Sequence, residues 1–149
     1  MDFEFKEYTG ACPRLEFMVS GERACDYAGK RNIFTPEWSA SIGLAYNKVI
    51  TDALTFSAGV DVNYVDDQYV EVTLYDPLKQ DAYTKVNAQL GLKAEQWSLS
   101  LIGRNLTDED VSSYIGEVTL SGSNPLYAPS YSSFYERPRT LAIQGAYWF

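Results

Sequence analysis

Two runs of acidic residues have the types and spacing that could do chemistry. They are the pair Asp66-Asp67 and the run Asp108-Glu109-Asp110. Neighbouring carboxylates can act together in acid–base catalysis or bind calcium. The loops lack the ligand spacing of a calcium site, and the sequence offers no nucleophile–base pair and no phosphate-binding loop. We therefore interpret both runs as solvated acidic residues near strand ends and expect that the chain is not an enzyme.

The charge balance and the absence of histidine exclude further classes. The 149 residues carry a formal net charge of −8, from 20 acidic and 12 basic residues, with no histidine. Histidine is the usual general base at neutral pH and the commonest metal ligand. Binding to nucleic acid requires a basic surface that displaces counterions from phosphate. We expect no cofactor, no metal site and no nucleic-acid partner.

The two cysteines, Cys12 and Cys25, lie on either side of a polar segment that contains glycine. They could be unrelated thiols, but they share one loop and no other cysteine competes for either of them. A disulfide closing such a loop stabilises the fold by about 3 kcal/mol in the chain-entropy model, and it requires an oxidising compartment. The sequence favours the disulfide.

Strict alternation of apolar and polar residues is the main structural signal. From Leu54 to Tyr64 the even positions are apolar, apart from the phenol group of Tyr64, and the odd positions are polar or small. A helix would mix these two sets, whereas a strand places them on opposite faces. Similar runs predict an all-β, antiparallel chain of about six strands. We place the strands at 34–48, 53–72, 81–95, 97–118 and 133–149, with a partial strand at 2–9.

The predicted connections alternate between two lengths. Residues 49–52 and 95–96 form tight turns, whereas residues 10–33, 73–80 and 120–132 form longer loops. Transmembrane β-barrels have short periplasmic turns and long extracellular loops. If the last strand ends at the periplasm, both tight turns fall on the periplasmic side. The three longer loops, including the cysteine loop, then lie outside the cell.

Alternation alone does not show which face contacts water, because soluble barrels have an apolar lumen and membrane barrels a polar one. The apolar rows end in aromatic residues such as Trp38, Tyr46 and Tyr147, as in the aromatic girdles of membrane barrels. We therefore predict that the apolar rows face lipid and that the polar rows face the lumen. The lumen-facing set is Asp61, Asn63, Lys85, Asn87, Gln89 and Arg104.

The number of strands indicates that the chain is part of a longer protein. Six strands are too few to close even the smallest barrels, and an open sheet in lipid would leave two unpaired edges. The N-terminal residues do not resemble a signal peptide, and no apolar run is long enough for a membrane-spanning helix. We expect the export signal to lie upstream of this sequence.

Several segments, in order, resemble one family. The run Tyr135-Glu136-Arg137-Pro138-Arg139-Thr140, followed by an alternating strand to Phe149, resembles the final strand of TonB-dependent receptors. The penultimate strand of that family resembles residues 97–109, with the signature Asn105-Leu106-Thr107-Asp108. Residues 83–88 resemble the strand before it. In one branch of the family, an outer loop closed by cysteines precedes a strand that starts with Pro-Glu/Lys-Trp. Residues 25–39 are similar to this arrangement.

The resemblance implies that residues 1–149 are the C-terminal portion of a 22-stranded, plugged barrel in the outer membrane of a Gram-negative bacterium. The parent receptor would take up a ferric siderophore, cobalamin or a glycan, and the TonB complex would spend proton-motive force to rearrange the plug. The family's plug and TonB box are absent from this sequence. Its expected partners are the plug domain and remaining strands of the parent chain, the TonB complex, the barrel-assembly machinery and the lipid bilayer.

The same resemblance assigns roles to particular residues. The six polar residues predicted to face the lumen would contact the plug or the permeation path. Tyr147 and Phe149 would form the C-terminal signal that the barrel-assembly machinery reads.

Two other classes remain open on the residues alone. The chain could be a complete small outer-membrane barrel with an adhesin or structural role, with two further strands within 1–33 and 110–132. It could also be a soluble β-barrel that binds an apolar ligand in its lumen.

Overall fold

The computed structural model describes residues 4–13, 20–21, 23–121 and 128–149. The prediction of an all-β, antiparallel chain is confirmed, because these ranges consist mainly of strands. They also contain a short helical element, a 3-10 turn at Asp76–Leu78. The strands are β1 Thr9–Ala11, β2 Ala24–Asp26, β3 Ser39–Thr51, β4 Leu54–Val65, β5 Gln68–Tyr69, β6 Lys79–Gln80, β7 Tyr83–Ala94, β8 Trp97–Arg104, β9 Ser112–Glu117, β10 Tyr131–Tyr135 and β11 Thr140–Tyr147.

The chain forms two compact units. One, the sheet unit, consists of residues 39–65, 83–110 and 137–149. Its five antiparallel strands lie in the order β11-β8-β7-β4-β3. Tight turns at 52–53 and 95–96 join β3 to β4 and β7 to β8. The remaining neighbours are joined by longer connections, at 66–82 and 105–139.

The register of the sheet gathers the apolar residues on one face. A single row crosses all five strands and contains Tyr46, Ala58, Leu90, Leu101 and Ile143. This apolar face is not covered by any part of the sheet unit, since the side chains of Leu44 and Ile143 are 69% and 77% exposed. A contiguous exposed apolar surface of this kind marks contact with a membrane or with another protein.

The other unit, the loop unit, consists of the described residues within 1–38, 66–82 and 111–136. It contains three two-stranded ladders, β1–β2, β5–β6 and β9–β10. Its core is formed by Cys25, Tyr27, Tyr69 and Leu74. The disulfide between Cys12 and Cys25 is present, as the sequence predicted, and it joins β2 to the residue after β1. Ladders this short are not stable alone, so the core and the disulfide have to hold them.

Three of the predicted strands were too long. The predicted strand 97–118 is interrupted after β8 because Asn105 and Asp108 have left-handed backbone, with φ of 49° and 60°. The predicted strand 53–72 divides into β4 and β5. The predicted strand 133–149 divides into β10 and β11 around Pro138, which has no N–H to donate to a ladder.

The strand count and the start of the chain also differ from the predictions. The sheet has five strands rather than about six, and the described residues form no closed barrel. The partial strand expected at 2–9 is reduced to β1 and an isolated bridge between Glu4 and Arg31, and residues 1–3 lie outside the described ranges. Strands β1 and β2 lie within 1–33 and pair with each other, and β9, within 110–132, pairs with β10, so none of these strands extends the sheet. Neither a complete small barrel nor a soluble barrel is therefore favoured by the described strands.

Candidate functional site

The six residues predicted to face the lumen lie on one face of the sheet, opposite to the apolar rows. In the ladder between β4 and β7, Asp61 lies opposite Asn87 and Asn63 lies opposite Lys85. Gln89 lies opposite Gly59 in the same ladder, and Arg104 lies opposite Thr140 between β8 and β11. Successive residues of a strand face opposite sides of the sheet, and by this alternation all of these pairs lie on the face opposite to the apolar row. The structure therefore gathers the predicted residues on a common polar face, while their contact with a lumen or plug stays a prediction.

Hydrogen bonds link part of this face into a continuous chain, which we call the polar ladder: Ser41, Asn63, Asp61, Asn87 and Asn105. Asp61 Oδ1 accepts hydrogen bonds from Asn87 Nδ2 at 2.9 Å and from Asn63 Nδ2 at 3.2 Å. Ser41 Oγ donates to Asn63 Oδ1 at 2.8 Å, and the backbone N–H of Asn105 donates to Asn87 Oδ1 at 2.9 Å. Bonds to an ionised carboxylate are stronger than neutral ones, so Asp61 is the centre of the ladder.

The other three predicted residues lie beside the ladder rather than in it. The Lys85 ammonium group lies 5.4 Å from the ring centroid of Tyr83. The side chain of Gln89 lies against Gly59, where a Cβ atom would come within 3.3 Å of Gln89 Cγ. Arg104 is exposed at the end of β8. The polar face thus combines a hydrogen-bonded centre with two cations, the half-buried Lys85 and the exposed Arg104.

Asn105 is a residue whose role the sequence did not reveal beyond its place in the resemblance. It is buried, with 4% of its surface exposed. Its Nδ2 donates to the carbonyl groups of Glu109 at 2.9 Å and of Arg137 at 3.4 Å, and its Oδ1 accepts from the N–H of Glu109 at 3.0 Å. The available signal was its residue type, because asparagine and aspartate tolerate the left-handed backbone that ends β8.

Asp108 and Asp67 are not simply solvated, as the interpretation of the acidic runs had it. Asp108 Oδ2 lies 2.9 Å from Arg139 Nη2, and its Oδ1 accepts the backbone N–H of Arg139 at 3.3 Å. Asp67 in the loop unit pairs with Lys79 and, at 3.1 Å, with Arg31. These cations are distant in sequence, so the local acidic pattern could not predict either pairing.

The ion pairs of Asp67 belong to a loop ion cluster made of Lys30, Arg31, Asp67, Tyr69, Asp76 and Lys79. Lys30 Nζ lies 3.1 Å from Asp76 Oδ2 and donates to the carbonyl of Leu74 at 2.8 Å. Two ammonium groups lie close to the buried ring of Tyr69, with Lys30 and Lys79 at 5.5 and 5.1 Å from its centroid. Both distances are within the range of cation–π attraction. The cluster joins residues 30–31 to residues 67–79.

The cluster shifts the acidity of its members. The hydrogen bond from Lys79 lowers the pKa of Asp67 against the opposing effect of burial, and the charge of Arg31 adds to it. Burial acts to raise the pKa of Asp76, but hydrogen bonds from Tyr69 and Lys30 outweigh it, so the pKa of Asp76 is lowered. Burial, together with the hydrogen bond to Asp76, raises the pKa of Tyr69. The ionised carboxylates are therefore the forms that the cluster stabilises.

The C-terminal aromatic residues lie at the end of the sheet. Tyr147 is the last residue of β11 and lies opposite Trp97. The N–H of Trp148 donates to the carbonyl of Gln96 at 2.8 Å. Phe149 is fully exposed, and its ring contacts that of Tyr147 edge to face at 5.3 Å between centroids. Whether Tyr147 and Phe149 are an assembly signal stays a prediction.

The described residues contain neither a candidate metal site nor a candidate membrane-spanning helix. Outside 1–3, 14–19, 22 and 122–127, no group of three or more cysteine, aspartate or glutamate side chains is placed to hold a metal ion. In the same part of the chain, there is no helix with the length and apolar character needed to cross a membrane.

Comparison with known proteins gives one match. The family model described as TonB dependent receptor-like, beta-barrel, matches residues 7–106, about two thirds of the chain. No curated protein and no solved structure matches the chain. The matched range includes β1 to β8 and all of the polar ladder, but it ends before β11.

The lowered pKa of Asp67 predicts an acid-sensitive loop unit. A carboxylate with a lowered folded-state pKa stabilises the fold above its unfolded pKa, and this contribution is lost as the pH falls through the folded value. The pKa of Asp67 in the unfolded chain is close to 3.8. Acidification from pH 6 to below 3.8 should therefore speed deuterium uptake by residues 66–82, after correction for intrinsic exchange. Asp67→Asn should exchange faster at pH 6 and change less on acidification.

The matched control is Asp81→Asn, since Asp81 is exposed in the same segment. It should behave like the unsubstituted protein at both pH values. Equal uptake by the Asp67→Asn and Asp81→Asn variants would show that the ion pairs of Asp67 do not stabilise the loop unit.

Proposed function

Because the chain belongs to the TonB-dependent receptor β-barrel family, we propose that it forms part of the barrel wall of a receptor that takes up a scarce nutrient. This is a family of outer-membrane proteins of Gram-negative bacteria that work with a plug domain and with TonB. The nutrient classes that we propose are a ferric siderophore, cobalamin or a glycan. The role is transport and not catalysis.

The observation that carries the proposal is the division of the five-stranded sheet into one apolar and one polar face. In water the apolar face would expose leucine, isoleucine and valine side chains whose burial stabilises by about 1.5–3 kcal/mol each. Lipid removes this cost without any covering layer of protein. The apolar face therefore fits the outside of a membrane barrel, and the polar ladder fits the inside.

The lengths of the strands agree with this assignment. A tilted strand needs about 9–11 residues to cross the hydrocarbon region. Strand β3 has 13 residues, and β4 and β7 have 12 each. Strands β8 and β11 have 8 each, and the N–H of Trp148 donates to the carbonyl of Gln96 just beyond the end of their ladder.

The free edges of the sheet support a larger barrel. Strands β3 and β11 each have one neighbour in the sheet. In lipid each unpaired backbone group costs several kcal/mol, so open edges do not occur there. We propose that the remaining strands of the parent barrel pair with both edges and that the plug contacts the polar face.

The connections suggest which side is outside. The tight turns at 52–53 and 95–96 would be periplasmic, and the three longer segments would be extracellular. The disulfide between Cys12 and Cys25 lies in one of these longer segments, and disulfides persist in oxidising compartments. Ligand binding by these segments together with the plug follows from the same proposal.

The proposal predicts that the chain is found within a large protein of the outer membrane. An antibody raised against residues 136–149 should detect a heat-modifiable band several times larger than 16.8 kDa in outer-membrane fractions. Nutrient-dependent growth should then require both this protein and TonB. A band of 16.8 kDa in the soluble fraction would contradict the proposal, and one in the membrane would favour a small barrel.

The orientation of the faces can be tested with neighbouring residues on β7. Gln89 lies on the polar face and Leu90 on the apolar face, and both are exposed. A cysteine at position 89 should cross-link to the plug or react with a water-soluble maleimide. A cysteine at position 90 should react only with a probe confined to lipid. The native cysteines are paired and would not react.

The opposite labelling pattern, with position 89 open only to the lipid probe, would reverse the assignment of the faces. Reaction of both positions with the water-soluble reagent would indicate that the sheet is not in a membrane.

The terminal aromatic residue predicts a dependence of assembly on Phe149. Deletion of Phe149 should lower the amount of receptor in the outer membrane without changing its transcript, because the barrel-assembly machinery would lose the aromatic group that it reads. Phe149→Trp keeps an aromatic ring and should restore the amount. A normal amount of the deletion variant in the outer membrane would count against this role.

A further inference from the structure

The last strand, β11, pairs with β8 without a tight turn to fix the pairing. Residues 105–139 lie between the two strands, whereas β3–β4 and β7–β8 are joined by tight turns. The geometry of a short hairpin turn sets the register of its strands. In the pair β8–β11 the register must be set by something else.

The apolar pattern does not choose a single register for β11. A slip by one residue would turn the apolar side chains to the polar face, so the pattern excludes it. A slip by two would place Ala142 opposite Arg104 and Phe149 opposite Trp97. It would keep eight residue pairs, as in the observed ladder from Thr140–Arg104 to Tyr147–Trp97. It would also keep the odd-numbered apolar residues on the apolar face.

We propose that Asn105 and Asp108 form a register clamp that selects the observed pairing of β11. Asn105 holds the carbonyl of Arg137 with its side-chain amide, and Asp108 holds both the guanidinium group and the backbone N–H of Arg139. A slip by two would move residues 137–139 along β8 by about 7 Å. All three contacts would then be broken.

The structure of the turn makes Asn105 the stronger half of the clamp. The pair Asp108–Arg139 is about half exposed, with 48% and 51% of the side chains accessible, and exposed ion pairs contribute little. Asn105 is buried, and its side chain is fixed by the bonds to both backbone groups of Glu109. Its donor to Arg137 is therefore already oriented when the last strand arrives.

The clamp also decides how far the C-terminus extends. In the observed register Trp148 and Phe149 lie beyond the last pair of the β8 ladder, and in the slipped register Phe149 would be inside it. If the proposed function is correct, the clamp presents the terminal aromatic residue to the assembly machinery. The register itself does not depend on that function.

Cysteine cross-linking can measure the two registers separately. Ser100 lies opposite Gln144 in the observed register and would lie opposite Ala146 after the slip. Residues directly opposite are about 4.5–5.5 Å apart between Cα atoms, within the range of a disulfide, and those two positions further along are not. The full-length protein would carry Ser100→Cys with either Gln144→Cys or Ala146→Cys. The oxidised products would be counted by mass spectrometry of the digested protein.

The decisive variant is Asn105→Asp. Aspartate tolerates the left-handed backbone and keeps the acceptors, but it loses the donors to Arg137 and Glu109. The ratio of the 100–146 to the 100–144 cross-link should rise by about tenfold or more, the effect of one net hydrogen bond or more. Asn47→Asp makes the same chemical change at an exposed site on β3 and should leave the ratio unchanged.

An unchanged ratio in Asn105→Asp would overturn the clamp. If that variant is absent from cells, Asn105→Gly decides, because glycine tolerates the left-handed backbone at this position and removes the donor to Arg137. A rise in its ratio supports the clamp, and no rise overturns it. The ratio is read from whichever cell fraction contains the protein. Failure of the outer-membrane proposal is therefore distinguishable from failure of the clamp.

Discussion

Every feature of the sheet depends on satisfying backbone hydrogen bonds while apolar and polar side chains are kept on opposite faces. Alternation with a period of two makes this separation possible in one strand, and the register extends it to five strands. This separation produces the apolar row from Tyr46 to Ile143 on one face and the polar ladder centred on Asp61 on the other. One residue of slip between any two strands would mix the faces, so the face assignment is fixed much more firmly than any single contact.

The polar face and the loop unit both pair their carboxylates, but Asp61 on the polar face is exposed, whereas Asp67 in the loop unit is half-buried and its pairing also meets the cost of burial. Asp61 accepts two amide donors, and Asp67 has two cationic partners. Buried or half-buried carboxylates without such partners would be protonated or would destabilise the fold. The loop unit needs this pairing more, because its ladders are short and its apolar core is small, and the disulfide adds a covalent constraint to that core.

The sequence predicted the features that depend on local pattern. The period of alternation placed Asp61, Asn63, Lys85, Asn87, Gln89 and Arg104 on one face, and two cysteines without competitors indicated the disulfide. It did not predict where the long strands end, because Asn105 and Asp108 look like polar residues of a continuing strand until their backbone is known. Nor could it pair Arg31 with Asp67, which are 36 residues apart in sequence.

The same limit explains why the end of the chain needs a device beyond the apolar pattern. A period of two distinguishes odd slips from even slips and nothing finer, so two registers of β11 are equivalent by that criterion. Tight turns at 52–53 and 95–96 remove the ambiguity for β3–β4 and β7–β8. The pair β4–β7 has a long connection, at 66–82, but the hydrogen bond between Asn87 and Asp61 joins its two strands through side chains. At β11 the ambiguity is removed by side chains that reach backbone groups just outside the ladder, where a shift of two residues breaks every contact. A buried asparagine with a left-handed backbone is suited to this task, since it ends one strand and offers a fixed donor to the next.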